Sequence, residues 1–285
     1  MSKFAYHPGN VAHSSAPEVE DTMQSLSRAL GIKLIPLSGA TSCGAGIVRQ
    51  ANKRLQLTLN ARTFAMAESM GLDILTPCAA TAGNLHEDLM TLRSDQILMS
   101  EVNDVLLRTC NLTMTGEVNV HHLIHAIVDI IGIEKLDEKV VNPFDFKIAG
   151  YYGPNIQQDG ACGEDDIYDP DYLEKIILSV GGTPVKWDAR TQSVGTPSLF
   201  SEEPTVMKQA AEVLSEAKSE DAELIVSACS LSHGVLDIYQ GKAGRNTGLS
   251  TNIPVIHLCE MISFALGCHN NRLAMLRTRI TVIGD

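Results

Sequence analysis

Thirty-five residues separate Cys43 in TSCGAG from Cys78 in DILTPCAAT, and the same 35 separate Val194 in QSVGTP from Cys229 in IVSACSLS. Ahead of these pairs stand AYHPGN (5–10) and GYYGPN (150–155), each an aromatic strand end running into a Pro/Gly turn. A chain that carries one order of strand ends and turns twice is built from two copies of one unit, and such a repeat constrains the architecture before any local propensity does. The copies divide the 285 residues into 1–143 and 144–285, with the link in EKLDEKVVNP. Each part has the size of an ordinary domain, about 100–200 residues.

Short apolar runs mark the strands: KLIPL (33–37), DILTP (73–77), FKIAGYY (146–152), PVKW (184–187), ELIVSA (223–228) and IPVIHL (253–258). Between them, 19–31, 52–71 and 204–220 space their apolar residues as amphipathic helices do, and Gly31 and Gly71 stand where helices end. The alternation predicts an α/β fold: two pseudo-symmetric repeats, each a small, mostly parallel sheet flanked by helices. The repeated loops all follow strands, and ligands gather at the carboxyl ends of parallel strands.

Lys and Arg number 22 against 34 Asp and Glu, and the charges are scattered. Nucleic acid is therefore excluded as a partner. No apolar stretch reaches the roughly 18 residues of a membrane span, so a cytoplasmic protein is expected. Seven dispersed cysteines in so large an apolar chain do not form a secreted disulfide framework; reduced thiols are expected.

Taken together, the first strand and turn, KLIPL before SCGAG, DILTPCAAT, VNVHHLIHAI, YDPDYLEKI, ELIVSACS and IPVIHLCEMISFALG resemble the B-type subunit of heterodisulfide reductase. The relatives of that family include thiol:fumarate reductase and an unusual succinate dehydrogenase component. In that family each repeat supplies five cysteines, one after the first strand, two in a Cys-Cys-Gly turn and two in a C-x-x-C turn, which hold an iron–sulfur cluster that cleaves a disulfide. The corresponding positions here read Asn10, Ser42, Cys43, Cys78 and Thr81, then Pro154, Ser193, Val194, Cys229 and Ser232. Two thiols of five remain in the first repeat and one in the second. Since clusters are held chiefly by thiolates, the resemblance implies no cofactor in the second repeat and disfavours an iron–sulfur cluster in the first. The strands and helices, which carry the fold, are untouched by these exchanges.

Cys43 and Cys78 are the candidate catalytic residues, a pair on adjacent loops that would attack a disulfide or carry a persulfide. Cys43, Cys78 and Cys229 are also the remnant metal-ligand positions. Burial as small apolar residues is the competing reading, stronger for Cys229, which has no companion thiol in its own repeat. Cys110, Cys259 and Cys268 fall on helical patterns and read as core; Cys162 sits in a Gly/acidic loop. His121, His122 and His125 have zinc-compatible spacing but read as helix-surface histidines. EDDIYDPDYLEK reads as a helix start, with Asp169 as N-cap, Pro170 as first helical residue and Glu174 in the first turn. YQGKAGRNTG (239–248) reads as a surface loop, and no phosphate-binding glycine motif is complete.

The resemblance thus implies a component of a heterodisulfide-reductase-like redox complex, as in sulfur-oxidising complexes with two B-type subunits, acting on disulfide, thiol or sulfane-sulfur carriers. Its own clusters would be largely lost and its role mainly structural or channel-forming. Its partners would be other subunits of that complex and a thiol or lipoyl carrier protein. Two alternatives stand beside it: thiol–disulfide or persulfide catalysis by Cys43 and Cys78, and one remnant metal centre in the first repeat.

Overall fold

The computed structural model describes residues 2–11, 16–157, 161 and 163–268. The first half runs β1 (Ser2–Tyr6), α1 (Pro17–Leu30), β2 (Ile32–Pro36), α2 (Ile47–Ala51), α3 (Lys53–Ser69), β3 (Ile74–Thr76), α4 (Ala79–Ser94), α5 (Gln96–Cys110), β4 (Val120–His122) and α6 (Leu123–His125). A π-helical turn (Ala126–Ile131) and α7 (Ile133–Asp137) close it. The second half runs β5 (Lys147–Tyr151), α8 (Tyr172–Ser179), β6 (Thr183–Pro184), α9 (Glu203–Ser219), β7 (Leu224–Ser227), α10 (Ser230–Ile238), α11 (Gln240–Thr247), β8 (Val255–His257) and α12 (Leu258–Ala265).

Two four-stranded, all-parallel sheets result, ordered β2-β1-β3-β4 and β6-β5-β7-β8. The order is the same in both, so β1 corresponds to β5, β3 to β7 and β4 to β8. The α/β fold with two pseudo-repeats is the one the sequence predicts. Parallel neighbours need crossovers, and the helices supply them.

Both faces of each sheet are covered, so the strands are apolar without a polar face. In β1, Phe4 and Tyr6 point to a central core while Ala5 points to an outer one; in β7, Val226 and Ile225 divide the same way. The central core lies between the sheets and draws on both halves. There the halves interleave: α1 packs against α12, and α8 packs against α6 and α7. Val19, Met23, Leu26 and Leu30 form the buried stripe of α1, and Gly31, at φ +73°, ends it in the left-handed conformation. Each such side chain contributes roughly 1.5–3 kcal/mol through burial, and Leu26→Ala would cost about 2–5 kcal/mol.

Four local expectations change. VNVHHLIHAI is not one helix: Val120–His122 pair with Ile74–Thr76 as an edge strand, and both His122 and His125 are buried. The β-branched valine and the free edge of β3 outweigh the helical spacing. YQGKAGRNTG is helical, not a loop: Ala243 is buried in the outer core, and Thr251 Oγ1 donates to the Gln240 carbonyl at 2.7 Å. Gly244 lies so close to Thr251 that an added Cβ would meet its Oγ1 at 2.5 Å. Of PVKW only Pro184 lies in the sheet, because Trp187 turns back to donate from Nε1 to the Gly150 carbonyl (3.1 Å). Helix α8 starts at Tyr172, two residues beyond Pro170, where Asp165 accepts the N–H groups of Asp171 (2.9 Å) and Tyr172 (3.3 Å). Cys259 is buried, Cys110 and Cys268 are half-buried, and Cys162 lies outside the described residues.

Candidate functional site

Cys78 and Cys229 end β3 and β7 in the same conformation and stand as N-caps of α4 and α10, at φ −107°, ψ 112° and φ −126°, ψ 113°. Each backbone N–H donates to the hydroxyl two residues earlier, Thr76 or Ser227, both at 3.3 Å. The loops interlock where the Ala79 N–H donates to the Ala228 carbonyl (3.2 Å). Consequently the two thiols, both fully buried, stand as electrostatic neighbours across the two repeats. The companion thiol of Cys229 thus lies in the other repeat. Sequence reasoning searched within one repeat and missed it; the signal was the repeat itself, since equivalent loops of a pseudo-two-fold pair meet at its axis.

The Cys229 thiol beside it draws the Cys78 thiol below its ordinary range, against burial, with help from Thr81 and the Ser230 backbone N–H. Cys229, its buried neighbour, is pushed up. Two helix N-termini at the pair favour negative charge in the same sense.

Cys43 joins this pair through Thr81. Its Sγ donates to Thr81 Oγ1 at 3.7 Å, and Thr81 also bonds Cys78. On its other side Asn10 fills the space: Nδ2 donates to Cys43 Sγ (3.1 Å), and Oδ1 accepts from the Cys43 N–H (3.2 Å) and the Ser42 hydroxyl (2.8 Å). The Cys43 carbonyl accepts from Asn60 (3.0 Å) and Asn84 (2.5 Å), and the Asp88 carboxylate in turn accepts from Asn60 and from Gln56. On the far side Ser232 contacts Cys229 and Tyr151, whose hydroxyl donates to the Gln192 carbonyl (2.7 Å). A continuous row therefore runs from Asn10 through Cys43, Thr81, Cys78, Cys229 and Ser232 to Tyr151.

The two halves treat the five motif positions differently. In the first, hydrogen bonds tie Asn10, Ser42, Cys43 and Thr81 together, with Asn10 and Ser42 at the edge of a separate cavity of about 350 Å³. In the second, Val194 is buried in the outer core, while Pro154, Ser193, Cys229 and Ser232 face a cavity of about 460 Å³. The opposite wall comes from the first repeat and includes Ala80, Asn84, Arg49, Lys53 and Glu87. Arg49 is held by Glu87 through two hydrogen bonds.

These donors do not suit an iron–sulfur cluster, which is held by thiolates. In the first repeat Asn10, Ser42 and Thr81 are committed to one another and to Cys43, and burial pushes the Cys43 thiol up, away from the thiolate form. In the second, Val194 and Pro154 have no side-chain donor. Among the described residues no group of three or more His, Cys, Asp or Glu is placed to hold a metal ion.

Residues 4–85 match the CCG cysteine-rich domain family. The chain is 28% identical to the 8-methylmenaquinol:fumarate reductase membrane anchor subunit of Wolinella succinogenes, over 96% of each chain. It is 25% identical to the B-type subunit of the Ferredoxin/F(420)H(2)-dependent CoB-CoM heterodisulfide reductase of Methanosarcina acetivorans, over 98% of this chain and 94% of that one. It is 26% identical to a protein of Archaeoglobus profundus named for its likeness to the same heterodisulfide reductase component, over 96% and 94%. A crystal structure of a hypothetical protein from Helicobacter pylori superposes on 99% of this chain with a TM-score of 0.78 at 16% identity. The chain spans about half (52%) of the length of that structure, and the likeness concerns the fold alone.

Proposed function

The chain belongs to the family of heterodisulfide reductase B-type subunits and their like, and on that premise we propose that it serves in a heterodisulfide-reductase-like redox complex as a component whose own iron–sulfur sites are largely lost. Its work is to shape the cavity through which a disulfide, thiol or sulfane-sulfur carrier reaches the complex. The observation that supports this reading most is the contrast between frame and ligands. Both repeats keep the strand ends and helix N-termini of the motif, while seven of the ten ligand positions hold Asn, Ser, Thr, Pro or Val.

Cluster-bearing subunits are the partners this role requires, with a thiol or lipoyl carrier protein delivering the sulfur group. The role belongs in the cytoplasm, where such carriers keep their thiols reduced. Among the described residues no helix is long and apolar enough to cross a membrane, although a W. succinogenes relative is named a membrane anchor. Iron and acid-labile sulfide, measured on the chain purified anaerobically alone and in its complex, test the reading. Neither should be present on this chain in stoichiometric amount, and a full complement of both would reject it.

A further inference from the structure

Gln56 and Asn60 stand one turn apart on α3, and Asn84 and Asp88 one turn apart on α4, where the two helices pack together. All of them are buried, Gln56 at 1% and Asn60 at 0% exposure. Gln56 Nε2 donates to Asn84 Oδ1 (3.1 Å) and Asp88 Oδ2 (2.7 Å); Asn60 Nδ2 donates to Asp88 Oδ2 (2.6 Å) and the Cys43 carbonyl (3.0 Å). Asn84 Nδ2 donates to the same carbonyl (2.5 Å). These bonds fix the way the Gln56 and Asn60 amides face, because turning either over would set oxygen against oxygen. Their other ends, Gln56 Oε1 and Asn60 Oδ1, are buried and accept no hydrogen bond from the protein. Asp88 adds a carboxylate that no ion pair meets among the described residues, since Arg49, whose charge reaches it, is tied to Glu87. Burial accordingly pushes the Asp88 carboxyl above its ordinary range. The network thus holds more acceptors than its donors serve, and one negative charge.

The second repeat shows that the fold does not require this network. Helices α3 and α9 align on the Ala67 and Ala217 carbonyls that close them, and α4 and α10 on Cys78 and Cys229. The positions of Gln56, Asn60, Asn84 and Asp88 then hold Val206, Ala210, Val235 and Tyr239, which pack in or against the outer core. A polar group kept in one copy of an otherwise apolar core, with acceptors to spare, has a ligand of its own to serve.

From this arrangement we propose that Gln56 Oε1, Asn60 Oδ1 and the Asp88 carboxylate bind one hard monovalent cation, sodium or potassium, between α3 and α4 of the first repeat. Carboxamide and carboxylate oxygens are the donors such ions take. One carboxylate balances one positive charge, whereas a divalent ion would leave a buried charge without a partner. Asn84, at the edge of the network, lines the inter-repeat cavity and gives the ion its way in. Once bound, the ion fixes the amides that hold the Cys43 carbonyl, Asn60 directly and Asn84 through Gln56, and so stiffens the SCG turn beside that cavity. The site stands whether or not the neighbouring motif positions carry a cluster.

The test measures the melting temperature of the full chain at pH 8 and constant ionic strength in the chlorides of sodium, potassium and tetramethylammonium, the last too bulky for a buried site. Sodium or potassium should raise the melting temperature by about 2–5 °C over tetramethylammonium, and the rise should saturate. Asp88→Asn keeps the shape, removes the charge and offers a donor to the spare oxygens. It should lose the rise while melting, in tetramethylammonium, no lower than the unaltered chain. Should that variant fail to fold, a crystal of the unaltered chain grown in the stabilising salt decides the matter, by density at ion-contact length from these three oxygens. Equal melting in all three salts overturns the proposal. A rise that persists in Asp88→Asn, or an Asp88 that still carries a proton at pH 8 by carboxyl-carbon NMR, overturns it as well.

Discussion

His122 and His257 occupy the same place in the two halves, at the ends of the edge strands β4 and β8. Each uses Nδ1 to accept the N–H two residues on, from Ile124 (3.2 Å) and Cys259 (3.2 Å), and so caps the helix that follows. His122 Nε2 also reaches the loop before the opposite half's cysteine, 3.0 Å from the Ala228 carbonyl, whereas His257 Nε2 lies 3.4 Å from the Ser230 hydroxyl of its own half. These bonds clamp the region of the pseudo-two-fold axis, and the two to Nδ1 require the neutral ring, since a protonated Nδ1 can only donate.

Acid should loosen this clamp. Burial lowers the His122 pKa to about 4 and His125 to about 3, and holds His257 well below its ordinary value. Their unfolded value is about 6.5, so their contribution is complete above that pH. It declines as the unfolded chain gains protons first and is gone once the pH has fallen through the folded values. His122 alone accounts for at most about 3 kcal/mol of the loss. Denaturation midpoints between pH 7 and 4 should fall, and His122→Gln, less stable at neutral pH, should show a shallower fall by about one proton.

Gly83 on α4 packs directly against the backbone of the other half. An added Cβ would stand 1.9 Å from the Asn155 carbonyl oxygen, a backbone atom with no rotamer to escape into. Gly83→Ala should therefore destabilise by about 1–3 kcal/mol or more, in spite of the better helix propensity of alanine. Gly241, on α11, has only the flexible tip of Arg245 near its added Cβ, at 3.6 Å. Gly241→Ala should be neutral or stabilising, and urea midpoints of the two variants check the contrast.

What the sequence made legible follows from which forces act locally. The repeat, the strand runs other than PVKW and the α1 stripe are set by apolar spacing and turn glycines, and each lies where that spacing puts it. Strand β4 was not legible because its three residues are extended by pairing with β3, a partner 46 positions away in register at Ile74↔Val120. Helix α11 was hidden by its glycines, one of which, Gly244, is required by the approach of Thr251. At the site, the motif positions within each repeat were legible from the resemblance. The approach of Cys78 to Cys229 was not, since it depends on how two repeats face each other, and that is decided by the interleaved helices of the central core.

His233 titrates in the opposite sense. Burial would lower its pKa, but Glu18, whose Oε1 lies 3.6 Å from His233 Nε2, outweighs this together with the nearby Glu260 and Asp237, and the net shift is upward. A raised folded value contributes stability that is complete below the unfolded value of about 6.5 and is lost as the pH rises through the raised folded value. Removing one partner of a buried pair strands the other, at a cost of about 3–5 kcal/mol. Glu18→Gln should lower the urea midpoint at pH 6 far more than at pH 9, flattening the alkaline fall.

Restoring sulfur to the first repeat separates a lost ligand set from a closed frame. Asn10, Ser42 and Thr81 hold the family's remaining ligand positions beside Cys43 and Cys78, and all three lie in one hydrogen-bonded network with Cys43. Asn10→Cys, Ser42→Cys and Thr81→Cys together break that network, at about 1 kcal/mol for each bond lost, and leave five thiols around the vacated space. The apo variant should be less stable than the natural chain. Reconstituted anaerobically, it should take up iron and sulfide with broad visible absorption, and metal should raise its melting temperature. Val194→Cys alone, which brings the second repeat only to two thiols, should take up neither. A folded triple variant that stays colourless would mean that the loops themselves have closed around Asn10.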